Sequence, residues 1–157
     1  MKKTLLFVVA MLVSVMASAK SIRADVLEAI NLYSTDVVYG FTKSLEFRGE
    51  EVSAEKQAEL LVEIKDFCLK RQLPVLVKMG LLEDWISCQR DPRMQELRKR
   101  TREAKNAKAL QRIIAEEILF IQAYYPTLLR YGNTPECKEL MIELIKRIQF
   151  VYIGWKQ

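Results

Sequence analysis

Residues 93–125 contain neither glycine nor proline, and most of them are strong helix formers. Directly before them, Asp91 and Pro92 supply a capping side chain and a proline in the one helical turn that tolerates it. A continuous helix over this stretch would be about 50 Å long. We therefore expect the rest of the chain to be organised around it.

The other segments carry apolar residues at helical spacings of three and four. They predict helices over residues 21–47, 53–72, 75–88 and 134–157, with a turn at Pro74 and an end to the long helix at Pro126. Gly80 allows the third helix to break in two. The sequence thus predicts an all-α, single-domain bundle of about five helices that spans residues 20–157.

The N-terminus has the pattern of an export signal. Lys2 and Lys3 precede an apolar run at residues 5–16, and Ala17-Ser18-Ala19 follows as a small-residue cleavage site. The run is well short of the roughly 20 residues that cross a bilayer. We predict a signal peptide at residues 1–19, a bacterial periplasmic or secreted protein, and no transmembrane anchor after processing.

The chain has no histidine, and its three cysteines are not arranged as C-x-x-C. Catalysis by Ser-His-Asp or Cys-His groups and histidine-ligated zinc are therefore excluded. Haem attachment through C-x-x-C-H is excluded as well. The sequence predicts no cofactor and no metal site, and it favours a protein that is not an enzyme.

A seven-residue repeat is present within the long predicted helix. Leu97, Ala104, Gln111, Ile118 and Tyr125 recur at this spacing, and Ala107, Ile114 and Ile121 occupy the intermediate positions. Such a pattern is typical of a helix that packs lengthwise against another helix. We expect this seam to be buried.

Basic residues are concentrated in the first half of the same stretch. Residues 93–112 contain eight lysines or arginines and two glutamates, in a chain whose net charge is +5. By helical angle, several of them lie away from the seam and are predicted to be exposed. The candidate partner-binding residues are Arg98, Arg102, Lys105, Lys108 and Arg112.

This basic band suits an acidic protein partner or an anionic envelope surface. Nucleic acid is disfavoured, because export removes the chain from it and no aromatic residues alternate with the basic ones for base stacking. A solvated helix face, neutralised in part by the protein's own acids, is the alternative interpretation.

The cysteines allow at most one disulfide. If the predicted helices 53–72 and 75–88 form a simple hairpin, Cys68 and Cys88 would be about 15 Å apart, which is too far for a disulfide unless the chain bends at Gly80. Joining Cys88 to Cys137 forbids a straight long helix, whereas Cys68 and Cys137 both lie on apolar stripes and could meet in the core. Three buried reduced thiols are the alternative.

Two enzyme-like or ligand-binding alternatives remain open. Adjacent acids at Glu50-Glu51, Glu83-Asp84 and Glu116-Glu117 could serve a carboxylate-dependent cell-wall hydrolase. Neighbouring residues on a helix point about 100° apart, however, so no such pair makes a site by itself. A pocket lined by Tyr124, Tyr125 and Trp155 would instead suit a carrier of small apolar ligands.

The functional hypothesis is accordingly an exported, non-enzymatic helical protein that acts through protein–protein contact. An adaptor, an inhibitor, an immunity or chaperone-type factor, and an envelope-assembly component all fit this description. The basic helix face is the expected contact surface.

Overall fold

The computed structural model describes residues 23–157, and the predicted signal peptide at residues 1–19 lies outside that range. Within the described range every regular element is a helix, and none of these helices has the length and apolar character needed to cross a bilayer. The elements are α1 (Ala24–Glu46), α2 (Ala54–Phe67), the π-helical turn π1 (Cys68–Gln72), α3 (Leu73–Lys78), α4 (Leu82–Arg90), α5 (Pro92–Glu103), α6 (Ala107–Tyr124), α7 (Pro126–Gly132) and α8 (Pro135–Trp155). The all-α prediction is confirmed, but the structure has more helices than the five expected.

Helix α1 is the centre of the bundle, in place of the long segment expected to organise it. It packs against α2, α4 and α5; α8 covers α2, α6 lies on α5, and α7 contacts α6 and α8. The main core lies between α1, α2, α3, α4 and α8. Its fully buried side chains include Leu60, Ile64, Phe67 and Leu76.

The chain continues as a helix through Pro74, where the sequence predicted a turn. Pro74 lies in the first turn of α3, and π1 connects it directly to α2. A proline lacks the N–H group and its ring clashes with the carbonyl of the preceding turn. The wider π-helical turn relieves this conflict within an otherwise helical segment.

Gly80 ends α3 and separates it from α4, as the sequence allowed. Its φ is +70°, and its N–H donates to Val77 O (3.1 Å) while the Leu81 N–H donates to Leu76 O (2.9 Å). This is a Schellman motif, in which glycine is the residue that adopts the left-handed conformation at least cost.

Alanine substitutions at two glycines are expected to have opposite effects. Gly80→Ala should lower the free energy of unfolding by about 1–2 kcal/mol, because its φ is positive. Gly40→Ala should raise it by about 0.5–1 kcal/mol, because Gly40 lies inside α1. No atom lies within 4 Å of the added Cβ at either position, so steric effects cancel in the comparison. Urea unfolding of both variants tests this, and changes of the same sign would contradict it.

The stretch expected to form one long helix is a hairpin. Helix α5 ends at Glu103, Ala104 takes an extended conformation (ψ 131°), and Asn106 begins α6 by accepting a hydrogen bond from the Ala109 N–H (2.8 Å). Pro126 then ends α6, as predicted. The prediction of one continuous 50 Å helix is therefore wrong, and the predicted seven-residue seam does not form.

All three cysteines are free, buried thiols. The Cys68 thiol lies in the main core, 3.7 Å from Ser34 Oγ and 3.4 Å from Gln72 Oε1. Burial raises the pKa of Cys68 to about 12 and that of Cys88 to about 11, and it also raises the pKa of Cys137. The structure thus has the three reduced thiols of the alternative interpretation, and no disulfide joins Cys68, Cys88 and Cys137.

Candidate functional site

The α5–α6 hairpin carries all five residues predicted to bind a partner. Its two helices pack through two small clusters, one around Met94 and Phe120 and the other around Ala104, Leu110 and Ile113. An ion pair between Arg100 and Glu116 joins the helices across their exposed edge. The helix break at residues 104–106 consequently decides where each basic side chain points.

Arg98 is buried, so the prediction that its side chain is exposed is wrong. It is 5% exposed; its Nη2 donates to Gln89 Oε1, and its Nε lies 3.4 Å from Asp36 Oδ2. Glu117 of α6, itself half-buried, lies near enough for the charges of Arg98 and Asp36 to affect its pKa. We call Asp36, Gln89, Arg98 and Glu117 the buried polar cluster.

Burial shifts the acids of this cluster toward the protonated form. Desolvation, followed by the charge of Asp36, raises the pKa of Glu117 to about 7, and Arg98 opposes the shift. Desolvation also raises the pKa of Asp36, against the attraction of Arg98 and Arg102. Arg98 is therefore the positive charge that makes two partly buried carboxylates tolerable between α1, α5 and α6.

The other four predicted residues are exposed but do not form one band. Arg102 on α5 stacks over the Tyr39 ring at 5.6 Å, Lys105 lies in the hairpin turn, and Lys108 and Arg112 lie on α6. Among residues 23–157, no carboxylate pairs with any of these four side chains, although the neighbouring Arg98 and Arg100 are both paired. Lys108 and Arg112 lie one turn apart on α6.

The solvent-facing side of α6 consists of two neighbouring rows of exposed residues at spacings of three and four. We call these residues the α6 outer face: Lys108, Gln111, Arg112, Ile114, Ala115, Ile118, Leu119 and Gln122. The first turns of this face are basic and the later turns apolar. The exposed Glu116 borders the face, four residues after Arg112, and pairs with Arg100. Leu119 is 63% exposed, Ile118 50% and Ile114 47%.

The apolar part of the α6 outer face differs from the sequence-based expectation. Ile114 and Ile118 were expected to be buried in the seven-residue seam, whereas the structure exposes both. The side of α6 that packs inward is instead marked by Leu110, Ile113 and Phe120. Their spacing of three and seven was a usable signal once Asn106 is recognised as a helix-capping residue.

The aromatic residues expected to share a pocket lie in two separate places. Tyr124 lines an open groove of about 620 Å³ between α5 and α6, where the Arg93 guanidinium lies 3.8 Å from its ring centroid. The Tyr125 hydroxyl donates to Asp91 (2.9 Å). Trp155 packs on Phe41 and Tyr152. The prediction of one pocket for Tyr124, Tyr125 and Trp155 is therefore wrong.

Four of the six adjacent acids of the hydrolase alternative are engaged by other side chains. Glu50 accepts hydrogen bonds from the Tyr152 hydroxyl and from Lys156. Glu83 pairs with Arg23, and Asp84 accepts a hydrogen bond from Thr127 (2.7 Å). Glu116 pairs with Arg100, and Glu117 belongs to the buried polar cluster. Glu51 makes no side-chain hydrogen bond or ion pair within the described residues.

No protein-family model, curated protein or solved structure matches this chain.

Proposed function

We propose that the chain is an exported, non-enzymatic helical protein that acts by protein–protein contact through the α6 outer face. The observation that carries the proposal is the composition of that face. Basic and large apolar side chains share one solvent-exposed side of a helix, and the acid that borders them, Glu116, is paired with Arg100.

The two parts of the face would contribute differently to binding. Apolar side chains at the centre of a contact supply most of the binding free energy when water is excluded from them. Charges at the edge mainly accelerate association and select a partner of opposite sign. Lys108 and Arg112 stand beside Ile114, Ile118 and Leu119, so the fitting partner is a protein surface with an apolar centre and an acidic edge.

The N-terminal sequence supports placing this contact outside the cytoplasm. The basic residues, apolar run and small-residue site of residues 1–19 fit an export signal. A protein isolated from the cell envelope should accordingly begin at Lys20, which N-terminal sequencing would establish.

Reversing two charges on the α6 outer face should abolish partner capture from an envelope extract. The variant is Lys108→Glu with Arg112→Glu, and both side chains are exposed and without ion pairs among the described residues. We expect at least a tenfold loss of the captured partner, and a comparable loss from the wild type when the salt concentration rises. Circular dichroism should show an unchanged fold.

The matched control is Lys78→Glu with Arg130→Glu, which changes the net charge equally on exposed positions of α3 and α7. It should capture the partner as the wild type does. Equal losses in both double variants would attribute the effect to net charge and contradict the proposal. If the protein captures no partner protein but binds anionic lipid vesicles, the proposed acidic protein partner is wrong, and the α6 outer face binds a membrane surface.

A further inference from the structure

Helix α6 is held on the protein by less apolar packing than α1, α2 and α8. None of its residues belongs to the main core. Its inward side chains contribute only to the two small clusters of the hairpin, through Phe120 in one and through Leu110 and Ile113 in the other. Elements with few buried apolar contacts open at a lower free energy than the core does. A polar contact beneath α6 can therefore decide how firmly the helix is held.

The buried polar cluster is such a contact, and its hydrogen bonds are incomplete. Arg98 donates from Nη2 to Gln89, but its buried Nε and Nη1 have no hydrogen-bond acceptor among residues 23–157. The half-buried carboxyl of Glu117 likewise has neither a hydrogen bond nor an ion pair within the described part of the chain. Buried polar groups left unpaired are costly. The junction of α1, α5 and α6 is consequently sensitive to the charge that Glu117 carries.

The groups that face Glu117 come from three helices. Asp36 of α1 and Arg98 of α5 both act on its carboxyl, and Arg102 of α5 acts on Asp36. The Cys88 thiol of α4 is also within reach of Glu117, but burial raises the pKa of Cys88 to about 11, so the thiol stays neutral. With both carboxyls ionised, two partly desolvated negative charges repel each other across the junction.

We propose that Glu117 is a pH-sensitive contact between α6 and the rest of the protein: its neutral carboxyl lets α6 pack on α1 and α5, and its ionisation loosens the helix. In the neutral form Arg98 has only the charge of Asp36 to balance. An ionised Glu117 is better solvated when α6 moves outward and water reaches the carboxylate. Desolvation and the charge of Asp36 raise the pKa of Glu117 to about 7, the direction that this mechanism requires.

The direction of the pH effect follows from the two states of α6. When α6 is open, Glu117 is solvated and its pKa returns to the ordinary value of 4.5, whereas in the packed state it is about 7. Because the packed state holds the proton more tightly, packing is firmest at low pH and weakens as the pH rises between these two values. Above them both states have lost the proton and the weakening stops. Burial also raises the pKa of Asp36, which adds an effect of the same sign.

Hydrogen exchange of the α6 backbone amides, measured on the chain alone, tests the proposal. After correction for the intrinsic exchange rate, the opening constant of α6 relative to that of α2 should rise about tenfold or more from about pH 5 to about pH 8. Glu117→Gln keeps a neutral side chain at every pH and should remove most of this rise.

The matched control is Glu116→Gln, which removes the same charge from the neighbouring, exposed residue that pairs with Arg100. It should keep the pH dependence of the wild type. A wild-type α6 whose opening does not change with pH, or a rise in Glu117→Gln as large as in the wild type, would overturn the proposal.

A carbon-13 NMR titration of the carboxyl groups identifies the titrating residue, because the Glu117 signal is absent from Glu117→Gln. This signal should titrate near pH 7 in the wild type and at lower pH in Asp36→Asn, which removes the neighbouring negative charge. A titration near the ordinary value of 4.5, or one that Asp36→Asn leaves unchanged, would also overturn the inference. Neither measurement needs a partner, so a failure of partner capture contradicts the proposed function alone.

Discussion

Replacing Arg98 by alanine is expected to lower the free energy of unfolding by about 3–5 kcal/mol, close to the limit of what one side chain can cost. The guanidinium is almost fully buried and is the positive charge nearest to Asp36. Its removal leaves Asp36 with the attraction of Arg102 alone, the partly buried Glu117 without an opposing charge, and Gln89 without its hydrogen-bond donor. A buried charge that loses its partner costs far more than an exposed one.

Urea unfolding near neutral pH measures this effect, and Arg102→Ala is the matched control. Arg102 lies one helical turn further along α5 but is exposed, and its ring contact with Tyr39 is worth about 0.5–1 kcal/mol. Similar losses in the two variants would show that Arg98 is not held in a buried polar cluster. Charge reversal at Arg98 is consequently expected to damage the fold, and Arg98 is unsuitable for testing a binding surface.

Phe67→Ala should destabilise the protein by about 3–5 kcal/mol. Phe67 is fully buried at the end of α2, within the main core, and the Arg147 guanidinium lies 5.5 Å from its ring centroid. Truncation removes buried apolar area and leaves a cavity that the surrounding helices fill only in part.

Phe150→Ala is the control for the core substitution, because it removes the same ring from a site that is 81% exposed. Its effect on the free energy of unfolding should stay within about 0.5 kcal/mol. Thermal unfolding of both variants at the same protein concentration makes the comparison. A large loss in Phe150→Ala, or a small one in Phe67→Ala, would contradict this placement of the core.

Helix boundaries with local chemical causes could be predicted from the sequence. Ser53, Asp91 and Thr134 each cap the helix that follows, as their side chains accept hydrogen bonds from its first backbone N–H groups. Pro126 ended α6 and Gly80 separated α3 from α4 for equally local reasons. Such signals depend on a few neighbouring residues and do not require knowledge of the tertiary structure.

The hairpin break has one local signal, the capping side chain of Asn106, but the residues before it do not end a helix by themselves, and the burial of Arg98 has no local cause. Residues 103–105 are ordinary helix formers, and the break is stabilised by contacts such as Arg100 with Glu116 that exist only once α6 has folded back. Arg98 is buried because Asp36, on α1, lies beside it in the fold. Helical angles calculated for one continuous helix therefore placed Arg98 in the solvent and Ile118 in the interior, the reverse of what the structure has.

Photo-cross-linking in intact cells tests the central claim, contact through the α6 outer face, most directly. A photoreactive amino acid replaces Ile118 on α6 in one protein and the similarly exposed Val77 on α3 in another. We predict a discrete adduct with one acidic protein from position 118, none from position 77, and loss of the adduct when Lys108→Glu and Arg112→Glu are added. The same adducts from both positions, or none from position 118, would contradict the account.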